Sequence, residues 1–470
     1  MLYKSCVRDL KLVHSNHPHP SRQLRVKHIR PIARCHLASR QYTTNHPPTQ
    51  GSSWTVFPVY KHVPGNTESP SDYHPHGFHP VHLGDVLGSR YHILHKLGHG
   101  KSATVWLAKQ INTKKYVALK IARAYDSDLS EREGRILASL TNDERARGLV
   151  ATGFVEAFDH EGPNGRHHVL VMEVGGQTLG EYQWDLQYRI NTGRERYDYE
   201  YMRRLAVKMI QAVRYVHAGG FVHRDVQLGN FMFALDQSRA GRGIDRALAA
   251  RPRTYDVERE DGKPLGRHCP AYLIEPISLE STYTGQAQPA QLGISDFGSA
   301  STIDYAGDGG QTYPLILRAP ELLLADHMDE KADIWALGGA IYRLMTFRDL
   351  FSIDQYLTDD EQKTEQLQSM VEVLGPPRAG SMRDRLQQLD IIDGEGHLTA
   401  ARRDDPMSYT FQQQMEQYKS MTRHNRDTAP FEDFVRYLFS WDQVVRPSAD
   451  DLLRHPWAAV VVDTSGEIEQ

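Results

Sequence analysis

Between positions 223 and 230 the chain reads His223-Arg224-Asp225-Val226-Gln227-Leu228-Gly229-Asn230, which sets a carboxylate beside an imidazole and two amides. Upstream stand a glycine-rich turn, Gly98-His99-Gly100-Lys101-Ser102-Ala103, and Lys120 inside an apolar run; downstream stands Ser295-Asp296-Phe297-Gly298. Phosphoryl transfer asks a protein mainly to position reactants and neutralise charge. It needs a cover over phosphates, a fixed cation, oxygen ligands for a metal ion and a carboxylate facing the acceptor hydroxyl. All four are present.

The elements that must hold these groups can be read from the pattern. Residues 90–97 alternate as a strand, with Tyr91, Ile93 and His95 on one face, and run into the glycines. A dinucleotide-binding turn would lead into a helix and be followed by an acid about twenty positions on; here Thr104 to Ala108 reads as a second strand and Lys120 stands near the acid's place. Gly100-Lys101-Ser102 mimics the end of a Walker A loop, but the leading glycine falls at His95 and no helix follows. A strand-turn-strand flap remains, in which glycines let backbone amides approach an anion. Tyr116 to Ala122 then forms a third strand carrying Lys120, and helical spacing from Glu131 to Leu140 lets Glu133 face back toward it. Val169 to Val174 reads as a buried strand leading to a hinge at Gly175-Gly176, and a helix from about Tyr201 to Ala218 delivers the chain to His223.

In this order the motifs resemble those of eukaryotic protein kinases, from about residue 91 to 457. The resemblance implies an α+β, two-lobed fold: a β-rich first lobe at 91–175 and a larger helical lobe at 176–460. It implies that Asp225 orients the acceptor hydroxyl and accepts its proton, that Asn230 and Asp296 hold Mg2+, and that Lys120, held by Glu133, grips the phosphates of ATP. ATP would lie against Leu97, Gly98, His99, Gly100, Lys101, Ser102, Ala103, Val105, Ala118, Lys120, Met172, Glu173 and Val174. Arg318-Ala319-Pro320-Glu321 matches the end of an activation segment, with Arg446 as the expected partner of Glu321. Asp333 to Gly338 matches the helix that anchors the catalytic loop.

Lys96 to Ala108, and Pro80 to Val86 before it, resemble SR-protein kinases of the divergent kind seen in fungi. A spacer-like insertion at about 236–290 agrees with them. Leu374-Gly375-Pro376-Pro377 opens an insert at about 375–430 of the kind found in the wider group of cyclin-dependent, MAP and Clk kinases (the CMGC group). The resemblance implies a monomeric serine/threonine kinase of basic Arg/Ser-rich proteins, acting on mRNA processing in cytoplasm and nucleus, with no direct nucleic-acid or membrane partner.

The chain departs from the pattern at Ala103, in place of a third flap glycine, and at Gln227, where such kinases place a lysine that contacts the transferred phosphate. An amide donates a hydrogen bond but adds no charge, a deficit of about 2 to 4 kcal/mol if nothing compensates. The alternative reading is therefore a pseudokinase or ATP-binding scaffold with little turnover. Arg224, where SR-protein kinases tend to have threonine, could pair with a phosphate on Ser299, Ser301, Thr302 or Thr312.

With 55 basic and 59 acidic side chains among 470 residues, the balance argues against a nucleic-acid binder held by charge. No apolar run reaches the length of a membrane-spanning helix. Cys6, Cys35 and Cys269 have no metal-type spacing. Residues 1–83 form a basic, His- and Pro-rich extension expected to be disordered. Its first fifty residues hold Asp9 as their only acid, the balance of a mitochondrial presequence with a candidate processing site at Arg40 to Thr44. His74, His76, His79 and His82 lie in a loop without a helical i, i+4 pair, so the sequence marks no metal site there.

Overall fold

The computed structural model describes residues 58–459, apart from 147, 236, 280–291, 305–312, 325–327, 355, 400–409 and 422–427. Arg40 to Thr44, Cys6, Cys35 and Thr312 lie outside the described residues.

Six antiparallel strands build the first lobe: β1 (Val86–Leu87), β2 (Tyr91–His99), β3 (Ala103–Gln110), β4 (Tyr116–Ala122), β5 (Phe154–Gly162) and β6 (Gly165–Met172), in the order β1-β2-β3-β4-β6-β5. Helix α1 (Ser127–Thr141) crosses between β4 and β5 and lies against β6. Strand periodicity assigns the two faces of β4. Leu119 and Ile121 join Trp106, Ala108, Val169 and Val171 in one core, while Ala118 and Lys120 face the other way.

That core is roofed by Val81 and Ile274, which come from outside the sheet. The segment at 58–83, expected to be disordered, is ordered, because Tyr73, Phe78 and Val81 are buried against the rest of the protein. The described part of the insertion, residues 237–279, is likewise folded. It supplies α4 (Gln237–Leu248) and a small antiparallel pair, β10 (Thr254–Asp256) with β11 (Tyr272–Ile274), after β7 (Gly175–Thr178), α2 (Leu179–Asn191), α3 (Tyr199–Ala218), β8 (Phe221–Val222) and β9 (Phe231–Ala234). Tyr73 and Phe78 of the segment pack with Val257, Cys269 and Leu273 of the insertion, and Ile277 N donates to Lys96 O at 3.0 Å.

The helical lobe is organised on α3 and α6 (Lys331–Thr346), which pack together and are joined by α5 (Pro320–Leu323), α7 (Asp359–Leu374), α8 (Ser381–Gln388), α9 (Phe411–Met421), α10 (Ala429–Leu438) and α11 (Ala449–Arg454). Helix α6 is buried nearly all round, as its apolar sequence requires. Beneath the cleft, β12 (Leu292–Ile294), β9 and β7 form a three-stranded sheet, and β13 (Ser301–Thr302) pairs with β8. The three-stranded sheet carries Asn230 just before β9 and Asp296 just after β12, and β8 leads into His223.

Candidate active site

Strand β2 departs from simple alternation. A register shift between Ile93 and His95 turns Lys96 inward as well as His95, and both are buried. Lys96 is paired there with Glu68, which also accepts from the Tyr73 hydroxyl. Burial opposes both charges, and the Lys96 ammonium nonetheless holds the Glu68 carboxyl below its usual range. The flap that follows is closed by Gly100 N donating to Ala103 O at 2.8 Å. A Cβ at Gly98 would meet nothing within 4 Å, and one at Gly100 only Ala103 O at 4.0 Å. Packing gives no reason for glycine at either place; the open side is what an approaching phosphate needs.

The register of β3 sets Val105 opposite Gly98 on one side and Lys120 on the other, so flap and lysine share one edge of the cleft. The Lys120 ammonium lies 2.7 Å from Glu133 Oε1 on α1 and 2.7 Å from Asp296 Oδ1. Burial would lower its pKa, but the two carboxylates outweigh burial and raise it. Lys120 in turn holds Asp296 at about 2, whereas burial pushes Glu133 up. Gly298 lies against this triangle: a Cβ there would be in ordinary contact, at 3.4 Å, with oxygens of both Asp296 and Glu133. Asp296 itself is left-handed, at φ 63°, and Phe297 is buried edge-on against His223 at 5.0 Å.

The loop bearing Asp225 hangs on a buried carboxylate, Asp333 at the start of α6. Its oxygens accept from His223 N (2.7 Å), Arg224 N (2.9 Å) and the Tyr313 hydroxyl (2.7 Å), and His217 Nε2 lies 3.0 Å away. Burial alone would raise the Asp333 pKa; these donors and the neighbouring histidines lower it. Such anchoring sustains Arg224 at φ 66°, a conformation costly for a side chain of that size. Tyr313 was not singled out from the sequence, since nothing local marks a tyrosine that donates to a residue twenty positions on.

Asp225 is gripped by two amides. Gln227 Nε2 donates to Oδ1 at 2.7 Å, and Asn230 Nδ2 donates to Oδ2 at 2.9 Å and to the Asp225 carbonyl at 2.7 Å. Burial raises the Asp225 pKa against these donors. With its amide nitrogen committed, Asn230 has its carbonyl oxygen to offer a cation, and Asp296 is a half-exposed carboxylate. Both are hard oxygen donors of the kind Mg2+ takes, so the residues present fit the ion the sequence implies.

Among the residues expected to border ATP, Ala118 lies opposite Met172 in the β4–β6 register. Met172 and Val174 are buried and Glu173 exposed, with Glu173 N donating to Gly153 O at 2.9 Å. Val174 packs with Leu97 and Leu107, and with Ile244 and Leu279 of the insertion. The structure thus joins Lys120, Glu133 and Asp296 in one group and Asp225, Gln227 and Asn230 in another, with Gly98, Val105, Ala118 and Met172 in register on the adjoining strands. Farther off, Arg446 and Glu321 form a buried two-pronged ion pair at 2.7 and 3.0 Å.

A family described as the protein kinase domain matches residues 91–248 and 284–458. A serine/threonine protein kinase of Aspergillus fumigatus is 27% identical over 381 residues, covering 81% of this chain and 87% of that one. The serine/threonine-protein kinase SRPK of Physarum polycephalum is 24% identical over 84% of this chain and 92% of its own. Protein kinase dsk1 of Schizosaccharomyces pombe is 22% identical over 87% and 88%. Among solved structures, the crystal structure of a kinase domain aligns with a TM-score of 0.55 at 20% identity, over 81% of this chain and 98% of that one.

Proposed function

Since the chain belongs to the protein kinase domain family and has SR-protein kinases among its relatives, we propose that it transfers the γ-phosphoryl group of Mg-ATP to serine and threonine hydroxyls of proteins, basic Arg/Ser-rich ones foremost. Mg-ATP supplies the phosphoryl group and ADP leaves. A new bond forms from the acceptor oxygen to phosphorus as the bond to the ADP oxygen breaks, and the hydroxyl proton passes to Asp225. Gln227 and Asn230 orient that carboxylate through their amides, and Lys120 neutralises phosphate charge under the flap. Asn230 and Asp296 would hold the magnesium ion. Cytoplasm and nucleus are the proposed locations.

The observation that carries this reading is the Lys120 ammonium at 2.7 Å from both Glu133 and Asp296, which sets the cation where phosphates would lie. Gln227 favours the rival reading of a scaffold with little turnover, because the group it sets beside Asp225 is an uncharged amide. The test is phosphate transfer from Mg-ATP to an Arg-Ser repeat peptide and to a generic basic protein, with Asp225→Ala as the blank and Gln227→Lys alongside. Transfer to the peptide that vanishes in Asp225→Ala supports the proposal in full; transfer to the generic protein alone keeps the kinase and discards the substrate class. Activity seen only in Gln227→Lys would establish the scaffold.

A further inference from the structure

Three histidines outside the cleft stand together. The β5–β6 register sets His160 directly opposite His167, so the two rings share one face of the hairpin. His79, carried in by the buried Phe78 next to it, lies over both, with ring centroids 4.5 Å from His160 and 5.0 Å from His167. Its Nε2 shares a hydrogen bond with His160 Nε2 at 3.1 Å, a proton that a bound ion would replace. In a tetrahedral zinc site with bonds of about 2.0 to 2.1 Å, neighbouring imidazole nitrogens are about 3.3 Å apart and their ring centroids about 5 Å apart.

The ring nitrogens are also prepared as ligands. His167 Nδ1 donates to Ala122 O at 2.9 Å, which leaves the lone pair on Nε2 and fixes the ring through its far nitrogen, as zinc-bound histidines are commonly fixed. That Nε2, on a fully buried residue, has no hydrogen-bond partner, and neither has the buried Nδ1 of His79. An ion held by His79 Nε2 and His167 Nε2 would remove the cost at His167; His79 Nδ1 is turned to Gly162. Asp85 and Glu161 add negative potential at His160. Room for His79 depends on Gly162, where a Cβ would fall 2.3 Å from His79 Nδ1.

We propose that His79, His160 and His167 bind a zinc ion through three imidazole nitrogens and a water, fastening the 58–83 segment to the β5–β6 hairpin. The neighbouring group of Glu131, Asp159 and His168 is drawn closer together, its donor atoms all within 4.8 Å of one another. There, however, the Arg166 guanidinium already pairs with Glu131 at 2.7 Å and Asp159 at 3.0 Å, and supplies the positive charge. The histidines are less gathered, and an ion would draw the His79 ring toward His167, which the Ala122 carbonyl holds in place.

The test uses the full chain, stripped with chelator and titrated with Co2+ as a spectroscopic stand-in for zinc. One equivalent should give the visible bands of a tetrahedral nitrogen-ligated site, displaced by one equivalent of Zn2+, with affinity lowered at least tenfold in His79→Gln and in His160→Gln. Bands of equal strength and affinity in both variants, or no bands in wild type, would overturn the proposal. Because a variant could lose its fold, the wild-type chain is also modified with diethyl pyrocarbonate and each histidine followed by mass spectrometry. Zinc should slow the reaction at His160 more than tenfold and leave the exposed His92 unchanged; equal rates at His160 with and without zinc would sink the idea.

Discussion

Gln227 stands where a cation is expected, yet its amide is hydrogen-bonded to the carboxylate proposed to accept the substrate's proton. Two consequences can be separated. Asp225 accepts a proton only as the carboxylate, and burial raises its pKa, so kcat/KM should fall on the acid side around a midpoint above the ordinary value for aspartate. Removing an amide that stabilises the charged form moves that midpoint farther up. Gln227→Ala is therefore expected to shift the acid limb of the pH profile to higher pH and to lower kcat on the order of tenfold; an unmoved limb would mean that the 2.7 Å contact does not bear on the ionisation. Asp296 behaves in the opposite sense. Its pKa falls from 3.8 to about 2 in the fold, so the stability it adds is present above pH 4 and is lost as pH falls through about 2. Asp296→Asn should flatten the pH dependence of unfolding in that window while leaving wild type and variant parallel above it.

At the scale of elements, the activation segment ends in α5, whose Glu321 is tied to Arg446 beyond α10, with both side chains buried. Arg446 also donates to Lys331 O at the start of α6 and stacks over Trp335, so one guanidinium joins α5, α6 and the loop before α11. Removing it leaves a buried carboxylate without its partner, a loss of about 3 to 5 kcal/mol. Arg446→Ala should lower the urea midpoint of the helical lobe accordingly, and a change under about 1 kcal/mol would refute this account. The pair was legible in the sequence because each member lies in a motif. So was Lys120 with Glu133, since helical spacing over 131–140 lets that carboxylate face back toward the strand lysine; the roles of Asp225 and Asn230 came from the resemblance alone. The grip of Tyr313 and His217 on Asp333 was not legible: neither residue belongs to a repeating pattern, and the contact exists only once α3, α6 and the activation segment are packed. The bulge that buries Lys96 was equally hidden, because alternation predicted the outward face for it.

The whole molecule differs from its sequence-level outline mainly on the side of the sheet away from the cleft. Residues 58–83 carry proline, glycine and histidine with little periodicity, and the insertion is long and locally polar, so each alone looks like loop. Their apolar residues are sparse but complementary: Tyr73 and Phe78 from one meet Val257 and Leu273 from the other, and Val81 with Ile274 completes the core over β3 and β4. No window of sequence contains both halves of these contacts. The assembly reaches the nucleotide flap through Glu68, whose pairing with Lys96 and contact with Tyr73 hold β2 next to Gly98. Glu68→Gln would leave the Lys96 ammonium buried without a counter-charge, a loss of about 3 to 5 kcal/mol confined to the first lobe. If segment, insertion and flap form one cooperative unit, hydrogen exchange in this variant should quicken together at 68–81, β10, β11 and β2, with the amides of α6 unchanged. The KM for ATP should rise in the same variant while the acid limb governed by Asp225 stays where it is. Exchange that quickened at 68–81 alone would show instead that the segment rests on the lobe without bracing it.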